Sequence, residues 1–188
     1  MSESRSKIRS HADRAVSERA ASILAEGRVA HVGFVEDGQP YVIPMGYHFD
    51  AAEPDRLYLH GSPASRAVLH LASGRPVCIA VTLLDGLVYS RTALYHSMNY
   101  RSVVSFGRGR EVTDGETGQR VYQAMVARYF PGRTAGRDYE APSEAHLEAT
   151  TLVEVSIEEW SAKAREGGPA GPLDGDPGAA GTCGVVPL

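Results

Sequence analysis

The spacing of hydrophobic residues changes several times along the chain, and each change predicts a new element. From Ser10 to Glu26 they recur at helical spacing, which predicts a first helix with Ser10 as its cap. From Arg28 the period becomes two, which is typical of strands. The predicted strands are 28–35, Tyr41–Phe49, Arg56–His60, Pro76–Leu84, Leu87–Tyr95, Arg101–Val112 and Thr150–Ile157.

Turn and cap residues separate these strands. Asp85-Gly86 is a strong tight-turn pair and predicts a hairpin. Two further helices interrupt the series. Ser62 is predicted to cap the first, and Thr113 with Glu116 predicts a capping box at the start of the second.

The order of these elements predicts the fold class. Strands and helices do not alternate regularly, which disfavours a doubly wound parallel sheet. Strands joined mostly by hairpins favour a mainly β fold, an antiparallel barrel with appended helices. We expect one domain over residues 1–166. The tail, 167–188, contains seven glycines and four prolines, so we expect no regular structure there, only docking of its apolar end.

Composition narrows the possible functions. Of the 188 residues 43% are hydrophobic and 22% charged, which is enough for one core. No apolar run is long enough to span a membrane, and the polar N-terminus does not resemble a signal peptide. A net charge of −4 without a basic run gives no support for nucleic-acid or membrane-surface binding. Two distant cysteines predict no disulfide framework, so we expect a cytoplasmic protein.

The segment His60–Arg66 carries the clearest chemical signal. A strand ends, a glycine allows a tight turn, and a capped helix is predicted to begin there. Such a helix start attracts anions, and the hydroxyls of Ser62 and Ser65 with the guanidinium of Arg66 add donors suited to phosphate. The alternative is that Ser62 only caps the helix and Arg66 is a solvated charge.

A second polar segment, His96–Val103, precedes a strand that otherwise alternates cleanly. Arg101 and Ser102 could reach further phosphate oxygens, and Tyr100 could flank an aromatic ligand. An exposed loop and strand start is the simpler interpretation of this segment by itself.

The third segment, Val42–His48, is a strand with two unusual residues. Pro44 has no N–H to donate and Gly46 has no side chain, so backbone groups could bind the edge of a planar heterocycle. A bulged edge strand is the alternative interpretation.

Other chemistry finds less support. No glycine-rich dinucleotide or P-loop pattern occurs, and Gly61-Ser62-Pro63 lacks the pattern of a nucleophile elbow. His48, His60 and His96 show no short metal-ligand spacing, so we expect no metal site.

Taken in order, the three segments resemble the flavin-nucleotide-binding split-barrel superfamily, the pyridoxamine 5′-phosphate oxidase-like proteins. The most similar branch contains the nitroimidazole-resistance reductases, and the similarity extends from about Ser17 to Leu188. The stretches that carry it are Val42–Tyr47, Leu57–Arg66, Asp85–Arg91, Asn99–Val104 with Gly107, and Gly184–Leu188.

The resemblance implies a six-stranded Greek-key split β-barrel and a homodimer with one FMN at each of two interface sites. It places Val42–Tyr47 along the isoalloxazine, Ser65 and Arg66 on the phosphate, and Ser102 at a further contact. The resemblance also places His60 and Gly61 against the flavin and ribityl chain. Together with the residues singled out above, the predicted cofactor-binding residues are Val42, Ile43, Pro44, Met45, Gly46, Tyr47, His60, Gly61, Ser62, Ser65, Arg66, Tyr100, Arg101 and Ser102.

Two departures bear on the reaction. Ala67 stands where pyridoxamine 5′-phosphate oxidases have a lysine after the Ser-Arg pair, and the tail lacks their basic substrate segment. We therefore expect an FMN-dependent oxidoreductase that acts on another small molecule, with NAD(P)H as a possible electron donor. If a side chain transfers a proton, the candidates are His60, which matches a histidine near the flavin in the reductase branch, His96 and Tyr100. The alternatives are a flavin store or redox sensor, or a haem- or deazaflavin-binding split barrel.

Overall fold

Seven antiparallel strands form one sheet in the computed structural model, which describes residues 4–188; the first three residues of the predicted domain lie outside that range. The strands are β1 (Val29–Glu36), β2 (Gln39–His48), β3 (Arg56–Gly61), β4 (Pro76–Tyr89), β5 (Ser97–Glu111), β6 (Thr151–Arg165) and β7 (Gly184–Pro187). The α-helices are α1 (Ala20–Glu26), α2 (Arg66–Ala72), α3 (Gly115–Tyr129) and α4 (Glu144–Glu148).

Six of the strands close into a ring. The sheet order is β1-β2-β3-β6-β5-β4-β7, and β1 also pairs with β4. Strand β7 lies outside the ring, on the far half of β4. The mainly β fold with appended helices and the six-stranded antiparallel split barrel are confirmed.

The ring is open along β2. This strand pairs with β1 over its first eight residues, from Gln39 to Gly46, but it meets β3 only at Tyr47–Leu59 and His48–Tyr58. Among the described residues, no strand pairs with the other edge of β2 over 39–46. That free edge leaves backbone groups available to a ligand.

Two helices close the barrel core. Helix α1 contributes Ile23 and Leu24, and helix α2 contributes Val68 and Leu71, to the same cluster that the inward residues of the strands form. All four side chains are at most 1% exposed. Helix α2 is thereby fixed against the end of β3, next to the free edge of β2.

The first helix is shorter than predicted. Only Ala20–Glu26 is α-helical, and two short 3-10 turns precede it. The N–H of Val16 donates to the carbonyl of Ala162 at 3.0 Å, and Ala15 forms a bridge with Lys163. Pairing with β6 therefore removes this stretch from the predicted helix, and Ser10 caps no helix.

The predicted hairpin at Asp85-Gly86 is wrong. Strand β4 continues through this pair with only a register shift against β5. The far half of β4 pairs with β7 as well, and a Cβ on Gly86 would lie 2.9 Å from the carbonyl oxygen of Val186. Two flanking partners hold the strand extended where the local sequence favours a turn, and the chain reverses only at residues 90–96.

Two predicted helix caps are also wrong. Helix α2 begins at Arg66 with Ser65 as N-cap, because a turn intervenes in which the N–H of Ser65 donates to the carbonyl of Ser62 at 2.8 Å. Helix α3 is capped by Asp114, whose carboxylate accepts from the N–H of Thr117 at 2.9 Å. The short helix α4 was not predicted.

The tail is held to the barrel by side-chain contacts of Arg91 and Asp174 and by one strand. Nη1 of Arg91 donates to the carbonyls of Leu173, Asp174 and Asp176, at 2.8–3.2 Å, and its Nε to that of Gly181 at 3.2 Å. The apolar end then forms β7 against β4. The absence of regular structure predicted for the tail is therefore wrong for its last residues.

Candidate functional site

The free edge of β2 divides the predicted set Val42–Tyr47 into two faces. Val42, Pro44 and Gly46 point outward, whereas Ile43, Met45 and Tyr47 point toward the core. Tyr47 is fully buried and its hydroxyl donates to the carbonyl of Leu24 at 2.6 Å. Burial raises the pKa of Tyr47 to about 12. The backbone N–H of Tyr47 donates to the hydroxyl of Tyr129 at 2.9 Å, and that hydroxyl donates to the carbonyl of Tyr47 at 3.0 Å. Of the inward residues, only Ile43 and Met45 therefore leave backbone groups available at this edge.

The end of β3 lies across the opening from this edge. His60 is exposed, and Gly61 lies where β3, β2 and α2 meet: a Cβ there would be 3.1 Å from Cγ2 of Val68 and 3.8 Å from Cε of Met45. The hydroxyl of Thr150 fixes the strand end by donating to the carbonyl of Gly61 at 3.1 Å.

Ser65 and Arg66 present unused donors at this corner. The side chain of Ser65 makes no capping hydrogen bond. Nη1 of Arg66 is engaged by Glu36 and by the hydroxyl of Tyr41 at 3.0 Å, and the guanidinium lies 4.5 Å from the Tyr41 ring centroid. Within residues 4–188 no acceptor meets Nε or Nη2 of Arg66. The expected phosphate ligands thus have hydrogen-bonding capacity to spare.

The second predicted segment lies elsewhere in the chain. His60 pairs with Leu152, next to Val153, the partner of Glu111 at the far end of β5. Ser102 lies nine residues along β5 from Glu111, which is about 30 Å of extended strand. The structure does not bring His96, Tyr100, Arg101 and Ser102 to the corner formed by His60, Gly61, Ser62, Ser65 and Arg66.

Arg101 already has two acidic partners. Its guanidinium pairs with Glu26 and, at 2.7 Å, with Asp85, and these contacts lower the pKa of both carboxyl groups. His96 contacts the carbonyl of Ala93 and the ring of Tyr89. Within one chain, Arg101 is therefore an ion-pairing residue.

Sequence reasoning missed an apolar cleft of about 520 Å³ behind His60. Its main wall is α3 together with the residue that follows it: Tyr122, Val126 and Phe130 recur at a spacing of four. This spacing is a recognisable second apolar stripe, but its partner surface is visible only in the folded chain. The lining residues are Gly46, His60, Tyr122, Gln123, Met125, Val126, Tyr129, Phe130, Tyr139, Glu140, Pro142 and His146.

His60 stands between the cleft and the open edge of β2. Its ring meets Tyr122 edge-on, with centroids 5.4 Å apart. Partial desolvation by the cleft lowers the pKa of His60 and so favours the neutral ring. Among the described residues, no group hydrogen-bonds to it, and no cluster of three or more His, Cys, Asp or Glu could hold a metal ion.

His48 is the more buried histidine of this region, and it predicts a pH effect on stability. Its ring, 9% exposed, stacks on Tyr58. Desolvation, with a smaller contribution from Arg128, lowers its pKa below the ordinary 6.5. The charged groups that act on it are Arg128 and Arg120, which lower the pKa, and Asp50 and Glu53, which raise it.

As the pH falls below about 6.5, His48 is protonated in the unfolded chain before it is protonated in the folded chain. The free energy of unfolding therefore decreases as the pH falls, until the pH reaches the pKa of His48 in the folded chain. Each unit of difference between the folded and unfolded pKa changes the free energy of unfolding by roughly 1.4 kcal/mol. Urea unfolding of the wild type and of His48→Phe, at about pH 7.5 and about pH 5.5, measures this change. We expect the variant to lose less stability over this interval. Equal losses would contradict the assignment.

The chain also matches known proteins. It matches the sequence model of the family described as pyridoxamine 5′-phosphate oxidase over residues 17–164. No curated protein matches it. In the part of the chain that the structure describes, no helix is both long and apolar enough to cross a membrane.

Solved structures agree with this assignment. The FAD and haem binding protein from Mycobacterium smegmatis is 35% identical, with a TM-score of 0.80 over 93% of this chain and 84% of that chain. The flavocytochrome Anf3 from Azotobacter vinelandii is 30% identical, with a TM-score of 0.83 over 99% of this chain and 85% of that chain. A putative 5-nitroimidazole antibiotic resistance protein from Bacteroides thetaiotaomicron, 23% identical with a TM-score of 0.64 over 81% of this chain and 90% of that chain, shares the fold. The chain belongs to the flavin-binding pyridoxamine 5′-phosphate oxidase-like family.

Proposed function

We propose that the protein is a flavin-dependent oxidoreductase that acts on a small molecule. The observation that carries the proposal is the corner where the free edge of β2 meets Ser65 and Arg66. A flavin nucleotide needs hydrogen-bonding groups along its ring edge and cationic or hydroxyl donors at its phosphate, and this corner offers both. When bound, the flavin supplies the electron-accepting and electron-donating chemistry.

The chain's own residues would bind and orient that group. The guanidinium of Arg66 and the hydroxyl of Ser65 would hold the ribityl phosphate, and the backbone of Val42–Gly46 would hold the ring edge. His60, at the end of β3 beside this corner and with a lowered pKa, is the first candidate for moving a proton. His96 and Tyr100 remain candidates only if a second copy brings them to the site.

A homodimer follows from the same proposal. Tyr100, Arg101 and Ser102 lie far from the corner within one chain, so their proposed contacts with the flavin require a second copy. Arg101 would then have to exchange Glu26 or Asp85 for the cofactor.

The family resemblance implies that the nucleotide is FMN, whereas the Mycobacterium smegmatis relative is described as an FAD and haem binding protein. Both nucleotides carry the ribityl phosphate that Arg66 would bind. The test is the absorption spectrum of the freshly purified protein, chromatography of the released nucleotide, and light scattering. Flavin bands and a dimer, followed by reduction of the flavin by NADH or NADPH, would support the proposal. A protein that neither carries nor takes up FMN or FAD would contradict it.

A second candidate function, haem binding, is favoured by the cleft. Its wall is mostly apolar and aromatic, and both His60 and His146 line it. His146 accepts from the N–H of Ser143 through Nδ1 at 3.4 Å, whereas both ring nitrogens of His60 lack a partner among the described residues. His60 is therefore the better axial ligand. A Soret band in the same spectrum that is lost in His60→Ala and kept in His146→Ala would establish haem binding through His60. The absence of a Soret band after haemin is added would exclude haem binding.

A further inference from the structure

A stack of four planar groups runs from the core to the corner where the free edge of β2 meets Ser65 and Arg66. His70 is anchored at the inner end, where its ring nitrogen Nε2 lies 3.0 Å from the carbonyl oxygen of Pro76. Phe34 stacks on it with centroids 4.5 Å apart, and Tyr41 stacks on Phe34 at 5.6 Å. The guanidinium of Arg66 is the outermost layer, 4.5 Å from the centroid of Tyr41.

The inner layers of the stack are rigid. His70 and Phe34 are 2% and 5% exposed, and Phe34 and Tyr41 are direct cross-strand partners in the β1–β2 hairpin. Aromatic cross-strand pairs stabilise such a hairpin. Tyr41 is therefore held in one place while its outer face remains open to Arg66.

Tyr41 meets Arg66 in two ways. Its ring lies under the guanidinium, and its hydroxyl accepts from Nη1 at 3.0 Å. Glu36, at the end of the same hairpin, pairs with the same nitrogen. The ring covers one face of the guanidinium and both acceptors bind Nη1, so Nε and Nη2 remain for an outside acceptor.

We propose that Tyr41 is a positioning residue for the flavin phosphate, acting through Arg66. An arginine side chain loses much rotamer freedom when it binds an anion, and a stacked guanidinium has already lost part of it. Tyr41 would thus strengthen binding of the phosphate without touching it. The inference rests on the proposed function, because it requires that Arg66 binds the ribityl phosphate.

The test compares Tyr41→Leu and Tyr41→Phe in fluorescence titrations with FMN, FAD and riboflavin, which lacks the phosphate. We expect Tyr41→Leu to weaken FMN and FAD binding about three- to fivefold, the size of a cation–π contact at a partly exposed site, and to leave riboflavin binding unchanged. Tyr41→Phe keeps the ring under the guanidinium and should therefore lose less FMN affinity than Tyr41→Leu. In Arg66→Ala, adding Tyr41→Leu should have no further effect.

Three outcomes would overturn the inference while the proposed function stands: unchanged FMN affinity in Tyr41→Leu, an equal loss for riboflavin, or a further loss on top of Arg66→Ala. A wild type that binds none of the three flavins would overturn both. Thermal unfolding of each variant, measured alongside, separates a local effect from a fold that has changed.

Discussion

Replacement of Gly107 by alanine is expected to destabilise the protein by more than about 4 kcal/mol, a large share of the 5–15 kcal/mol typical of one domain. Gly107 is buried in β5 at the register shift against β6. A Cβ there would lie 2.0 Å from the carbonyl oxygen of Ser156, a backbone atom of the neighbouring strand, and 3.3 Å from Cγ1 of Val155. Because both strands belong to the closed ring, neither can move away without breaking pairs along its length.

Gly118→Ala is the matched control. Gly118 lies inside α3, and a Cβ there would meet no atom within 4 Å. Alanine should stabilise the helix by about 0.5–1 kcal/mol. Urea unfolding of the three proteins measures both effects. A Gly107→Ala protein as stable as the wild type would mean that β5 and β6 do not approach as closely as described.

Arg66→Ala is expected to weaken binding of FMN or FAD about ten- to a hundredfold, which corresponds to about 1.5–3 kcal/mol for hydrogen bonds to a charged group. Stability should change little, because the ion pair with Glu36 is largely solvated, with the Arg66 side chain 49% exposed. A loss of flavin affinity without a loss of stability would show that Arg66 binds the ligand and does not support the fold.

Arg75→Ala serves as the control for Arg66. Arg75 approaches the same Glu36 at 3.8 Å and is similarly exposed, but it follows α2 instead of beginning it. We expect it to change flavin affinity less than about twofold, since an exposed charge at a distance is screened by salt. If Arg66→Ala and the wild type bind flavin with equal affinity, Arg66 does not bind the flavin phosphate.

Much of the fold could be predicted because its hairpins are local. The period-two alternation of β1 and β2 and the turn between them require no distant partner. The errors arise where distant partners override a local signal. Residues 15–16 leave the predicted helix to pair with Ala162 and Lys163, and Asp85-Gly86 stays extended because β5 and β7 flank it.

The candidate site shows the same limit. Ser65 and Arg66 could be found because neighbouring residues carry the signal. The ion pairs of Arg101 could not, because Glu26 is 75 residues away along the chain. Tyr41 lies one position before the recognised segment, and its importance depends on Arg66 lying above its ring, which no spacing in the sequence indicates.

The four carbonyls that Arg91 binds belong to a tail segment with little structure of its own. Between residues 171 and 183 the backbone–backbone hydrogen bonds are three short turns, whereas Arg91 reaches Leu173, Asp174, Asp176 and Gly181 from outside. The carboxylate of Asp174 adds a second tie, because it accepts from Oγ of Ser90 at 2.9 Å and from the N–H of Arg91 at 2.7 Å. The order of this segment therefore depends on two side chains at one place, Arg91 and Asp174. The segment should open and close as a single unit, with its amides exchanging with solvent at one common rate although they lie in separate turns.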